Sequence, residues 1–115
     1  MTITRIKPGP RMSQTVVHRD TVYTAGQIAD DNSQDVAGQT RQILAKIDGL
    51  LAEAGTDKSK LLKATIWLSD IYTFNEMNSI WDAWVDQDNT PVRACVESKL
   101  AMPELTVEIM VEAAK

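Results

Sequence analysis

The spacing of apolar residues changes period several times along the chain. Ile43, Leu44, Ile47, Leu50, Leu51 and Ala54 recur at i, i+1, i+4, i+7, i+8 and i+11, the buried stripe of a helix. The polar stretch ADDNSQD before it ends in Asp35, suited to cap the helix start, and Gly55 supplies the stop. Beyond the turn TDKSK the period drops to two: Leu62, Ala64, Ile66 and Leu68 alternate with Lys63, Thr65, Trp67 and Ser69, which predicts a strand. Upstream, MTITRI alternates as a short strand that ends before Pro8-Gly9-Pro10. SQTVV and TVYTAGQI are β-branched runs separated by His18-Arg19-Asp20, an antiparallel hairpin with His18 at its tip. A second helix is expected from a capping box, Thr73 with Glu76, reinforced by a hydrophobic staple between Tyr72 and Met77. Phe74, Met77, Ile80, Trp81 and Trp84 form its buried face. RACVESKL and LTVEIMVEA complete the pattern as two strands divided by Ala101-Met102-Pro103-Glu104.

Three strands, helix, strand, helix and two strands make an α+β domain: a mixed, largely antiparallel sheet whose two helices cover one face. The other face is too apolar to be left wholly to water. In the last strand Leu105, Val107, Ile109 and Val111 form one row, and the opposite row, Thr106, Glu108, Met110 and Glu112, is half apolar. Association with further copies through that surface is the expectation.

At 115 residues the chain reads as one domain over 1–115. An apolar fraction of 43% and a charged fraction of 24% are those of an ordinary globular protein, and no apolar run approaches membrane-span length. The first residues show no secretory or transit pattern, which makes the cytoplasm the expected compartment. The net charge of −4 comes without a basic block, which disfavours binding to phosphate backbones. One cysteine and one histidine supply no zinc cluster and no internal disulfide.

The chemistry centres on TPVRACVE. Alternation puts Arg93, Cys95, Glu97 and Lys99 on one face of their strand, expected to be the helix-free one. An arginine is charged at physiological pH and calls for an anionic partner when buried. If LTVEIMVEA pairs with this strand, Glu108 shares that face, and two readings stay open: a structural ion pair at an interface, or a functional site. Cys95 as a nucleophile has only His18 as a prospective base, so it reads as an inert buried thiol. Trp81 and Trp84, at helical spacing, read as core.

TPVRACVESKL followed by LTVEIMVEA resembles the C-terminal signature of the RidA family, also called YjgF-like proteins, the imine and enamine deaminases. SQTVVHRDTVYTAGQI, QTRQILAKIDGLLAEAG and LLKATIWLSDIYTFNEMN are similar to that family in order and spacing, so the resemblance spans essentially the whole chain. It implies a fold similar to trimeric chorismate mutase, with sites in clefts between subunits of a homotrimer, and hydrolysis of reactive 2-imino acids to 2-keto acids and ammonia without a cofactor. On this resemblance Arg93 clamps the substrate carboxylate and Glu108 directs the attacking water. Cys95 and Gly26 bring main chain to the pocket, and Asn78 lies in the cleft. Met12 and Ala25 depart from the family pattern, which has a tyrosine and a serine there, so the pocket is expected to be more apolar. A binding module for a small carboxylate such as a 2-keto acid is the competing expectation. Ribonuclease activity, reported for the family at large, fits poorly with an acidic chain holding one histidine.

Overall fold

In the computed structural model, which describes residues 2–115, six strands form one sheet in the order β1-β2-β3-β6-β4-β5. They are β1 (Ile3–Pro8), β2 (Ser13–His18), β3 (Thr21–Thr24), β4 (Leu61–Leu68), β5 (Val92–Glu97) and β6 (Val107–Ala114). The helices are α1 (Val36–Glu53) and α2 (Phe74–Trp84). Every pairing is antiparallel except β4 with β5, which are joined through α2. The element order is the expected one; Met1 of the first strand's stretch lies outside the described residues. β1 continues through Pro8 and does not stop before it, which an edge strand tolerates because a proline there withholds no ladder donor.

The core lies between the helices and one face of the sheet. Ile43, Leu44, Ile47 and Leu51 of α1 and Met77 and Trp81 of α2 pack over Ala64, Ile66 and Leu68 of β4 and Val107, Ile109 and Val111 of β6. Asp35 caps α1 as expected, its side chain accepting from the Gly38 N–H at 2.9 Å, and Gly55 ends it at φ +82°.

The start of α2 differs from expectation. A 3-10 turn, Ile71–Thr73, precedes the helix, and Asp70 caps that turn by accepting from the Tyr72 N–H at 2.9 Å. The Thr73 hydroxyl donates back to the Asp70 carbonyl at 2.7 Å and caps nothing in α2. Tyr72 is 94% exposed, so there is no staple to Met77. Leu62 also departs from the alternation. A register shift between Leu61 and Lys63 gives the buried position to Leu61 and leaves Leu62 49% exposed. His18 ends β2, paired with Ile3 and Thr21, and the hairpin turn is Arg19-Asp20, with Arg19 at φ +56°.

The largest correction concerns β5. Its parallel register sets Arg93 beside Ala64 and Cys95 beside Ile66, so both share the face that the helices cover. The expectation that they lie on the helix-free face fails because β5 is the sheet's edge, where Arg93 and Cys95 stay only partly buried and a cation reaches solvent without leaving that face. β6 does not pair with β5; it lies between β3 and β4, with Glu108 opposite Trp67. The row Glu108, Met110 and Glu112 therefore points away from the helices, together with Trp67, Thr65 and the exposed Tyr23, Val92 and Val96. That surface carries the apolar character read from the sequence.

Candidate functional site

Two clusters of polar side chains stand apart on this frame. The first is built around Glu108. Past the end of β3 the chain runs beside β6, where Gln27 and Ile109 exchange backbone hydrogen bonds of 2.8 and 3.2 Å. This fixes Gly26 against the Glu108 side chain so closely that a Cβ at Gly26 would overlap the carboxylate oxygen Oε2 and lie 3.0 Å from Cδ. Glycine is needed here for space and not for a left-handed backbone, since Gly55 is the only described glycine with positive φ.

The same loop is locked to β2. The buried Gln27 amide donates to Gln14 Oε1 at 2.9 Å and to the Ala25 carbonyl at 3.1 Å, and the Ala25 N–H donates to the Gln14 carbonyl at 2.8 Å. Glu108, Gly26, Gln14 and Met12 line one cavity of about 620 Å³, which continues past Ile28 to Lys46 and Leu50 on α1. Ala25 does not line it and meets Gln14 and Gln27 through its backbone. Lys46 and Lys7, the cations at the far side, are occupied: Lys46 Nζ reaches the Ile28 carbonyl at 2.8 Å and Asp30 at 2.7 Å, and Lys7 pairs with Glu53 at 2.8 Å. Burial raises the pKa of Glu108 above the ordinary carboxylate range. Such a group holds and returns a proton nearer neutrality than an exposed carboxylate does.

The second cluster surrounds Arg93. Its Nη1 donates to Asn78 Oδ1 at 2.7 Å, and its Cζ lies 5.4 Å from the Trp81 ring centroid and 5.7 Å from that of Phe74. Phe74, Asn78 and Trp81 stand at i, i+4 and i+7 of α2, one stripe facing β5. Among the described residues Arg93 makes no further hydrogen bond or ion pair. The rest of its planar donor fork is therefore available for a carboxylate. Cys95 follows on the same strand; burial pushes its thiol pKa up, and Arg93 offsets this in part. A thiol held neutral in this way is a poor nucleophile, and β6, β3 and β4 separate its strand from that of His18.

Arg93 with Asn78 and Cys95, and Glu108 with Gly26, Met12 and Ala25, are thus two groups on opposite faces of the sheet, with β4 between their strands. An Arg93 to Glu108 ion pair within one chain is ruled out by this arrangement. The Gln14 to Gln27 lock and the ring slot were not anticipated. The first leaves no periodic trace in the sequence; the second was legible as the i, i+4, i+7 placement of Phe74, Asn78 and Trp81.

A family model described as endoribonuclease L-PSP matches residues 2–115. The chain belongs to this family, the RidA or YjgF family. A RutC family protein of Haemophilus ducreyi is 44% identical over 112 residues, covering 97% of this chain and 96% of the relative. The RutC family protein YoaB of Escherichia coli is 42% identical over 114 residues, 99% of either chain. Among solved structures, a YjgF family member from Neisseria meningitidis superposes with a TM-score of 0.97 at 43% identity, covering 100% of this chain and 96% of its own. A conserved Rid family protein, YyfA of Yersinia pestis, does so at 0.90 and 29%, covering 99% and 100%. The RidA fold is that of the chorismate mutase-like proteins, as the sequence resemblance implied. No helix among the described residues is long and apolar enough to cross a membrane.

Proposed function

We propose that this RidA family chain hydrolyses reactive 2-imino acids to 2-keto acids and ammonia, in a homotrimer whose clefts join the Arg93 cluster of one subunit to the Glu108 cluster of the next. The observation that carries the reading is the separation of the two clusters: an edge-strand cation with an open donor fork on one face and a half-buried carboxylate facing a cavity on the other. Neither is complete alone, and the uncovered apolar face with Val92, Val96 and Tyr23 offers the surface across which copies could meet.

In this reading Arg93 takes the substrate carboxylate through a bidentate contact worth roughly 1.5 to 3 kcal/mol. Glu108 accepts a proton from water as the water oxygen bonds to the imine carbon and the C=N π pair moves to nitrogen, which then takes that proton. In the collapse of the carbinolamine the hydroxyl proton passes to nitrogen through Glu108, the O–H pair forms the keto group, and the C–N bond breaks to release ammonia. The elements of one water are added, and no oxidant or reductant is consumed.

Ammonia release from imino acids generated in situ by an amino acid oxidase tests this for wild type, Arg93→Ala and Glu108→Gln. Acceleration by wild type that is lost in both variants supports the proposal; no acceleration for any side chain overturns it. A second reading, a trimeric binder of 2-keto acids without turnover, is favoured by one feature: among the described residues no hydroxyl side chain lines the cavity beside Glu108, where Met12 stands on the wall. It predicts that keto-acid binding survives Glu108→Gln and fails in Arg93→Ala. A ribonuclease reading finds little support, since the cavity's lysines are already paired with Glu53 and Asp30. RNA binding with a steep salt dependence would restore it.

A further inference from the structure

Trp81 reads from sequence as a core residue and is 5% exposed, yet its ring face is turned to a cation. Arg93 Cζ stands 5.4 Å from the Trp81 centroid and 5.7 Å from that of Phe74, inside the range in which a guanidinium is held by ring quadrupoles. Trp81 also has an aromatic neighbour on its own helix. Trp84 lies against it at 5.4 Å with the rings tilted by 51°, and the Trp84 indole N–H donates to Asp48 of α1 at 3.0 Å. Asn78, one turn from either ring on α2, accepts from Nη1 and sets the rotation of the guanidinium plane. The arrangement constrains a long side chain whose free rotamers would otherwise be lost at the moment of binding.

We propose that Trp81, assisted by Phe74, is a positioning residue for Arg93: its ring holds the guanidinium in the orientation that receives a carboxylate. This rests on the reading of Arg93 as the carboxylate site. Trp81 acts through Arg93, so its loss should weaken binding of the carboxylate and spare the chemical step.

The variants are Trp81→Phe, Trp81→Leu and Phe74→Leu in the full chain. Three readouts apply: kcat and KM for imino acid hydrolysis, the affinity for 2-ketobutyrate by calorimetry, and the NMR shifts of the Arg93 side-chain protons in the unliganded protein, which two adjacent rings displace. Trp81→Leu is expected to raise KM and weaken 2-ketobutyrate roughly 2- to 30-fold, the range of a cation–π contact, with kcat unchanged within about threefold. Trp81→Phe, which keeps a ring face, should restore most of the loss. A folded Trp81→Leu that binds 2-ketobutyrate like wild type, or that leaves the Arg93 protons in place, overturns the proposal. So does a Trp81→Phe as impaired as Trp81→Leu. If Trp81→Leu does not fold, Phe74→Leu at the partly exposed ring decides by the same affinity and shift criteria. If wild type shows no turnover, the hydrolase reading fails by itself, while the calorimetric and NMR readouts still decide the role of Trp81.

Discussion

Gly26→Ala separates the placement of Glu108 from the stability of the fold. The new methyl would overlap Glu108 Oε2 and sit 3.0 and 3.2 Å from Cδ and Cγ. Those atoms are the end of a side chain that can swing aside, and Gly26 is not in the left-handed region, so the backbone has no reason to move. Stability should change little. The carboxylate, however, must retreat by on the order of 1 Å, a misplacement that costs about 10²-fold in rate when the group acts on a bound substrate. That corresponds to about 2.7 kcal/mol of transition-state stabilisation. The assay is kcat/KM for imino acid hydrolysis beside urea unfolding of the same variant, with Glu108→Gln and the double variant for comparison. If the loss runs through Glu108, the double variant is no slower than Glu108→Gln alone. Activity within threefold of wild type, or fully additive losses, would refute the view that a closely seated Glu108 carboxylate does the work.

Three further outcomes follow from individual sites. Burial holds the pKa of Glu108 above its ordinary 4.5, so the native state keeps a proton that the unfolded chain has released. That contribution to stability is present below the unfolded carboxylate pKa and is lost as pH rises through the folded one. Glu108→Gln should therefore melt higher than wild type at pH 7, with the gap closing on acidification; the opposite sign would mean that a cation governs this carboxylate. Cys95→Ala should keep hydrolysis within a few-fold of wild type, because burial keeps the thiol neutral; a collapse of kcat would make Cys95 a participant. Gly49, exposed on α1 with no atom within 4 Å of a built Cβ, should gain roughly 0.5 to 1 kcal/mol in urea unfolding as alanine, and no gain would show that its backbone strains against helical geometry.

The two periods, 3.6 and 2, were enough to give the order of elements, because each element buries one side against a shared core. They could not give the side of Arg93. Alternation within a strand assigns residues to two rows but not the rows to faces; that depends on which strand is the neighbour and in which register. In β5 the parallel pairing of Ala64 with Arg93 decides it, and nothing in RACVE announces an edge strand lying over α2. Leu62 departs from the alternation for a related reason, since a single register shift exchanges faces. Gly26, by contrast, sits in the run TVYTAGQI, read from the sequence as part of a strand; β3 ends at Thr24, and the meaning of Gly26 appears only when Gln27 docks on Ile109 and brings it to Glu108.

Opposite faces for Arg93 and Glu108 also fix a test of the proposed shared cleft that a single-chain site could not pass. In the proposed trimer with heterologous contacts, each cleft would take Arg93 from one subunit and Glu108 from the next. Arg93→Ala and Glu108→Gln should each be inactive alone, since every cleft then lacks the same group. When equal amounts are unfolded together and refolded, a cleft is intact wherever the subunit supplying Arg93 carries only the Glu108 change and its neighbour only the Arg93 change. Random assembly makes that so for about a quarter of clefts. Activity near that fraction of wild type, absent when the variants are refolded separately and then combined without exchange, is the expected result. Activity no higher than the mean of the separate variants would confine both groups to one chain, and since they lie on opposite faces of its sheet, it would remove Arg93 or Glu108 from the reaction.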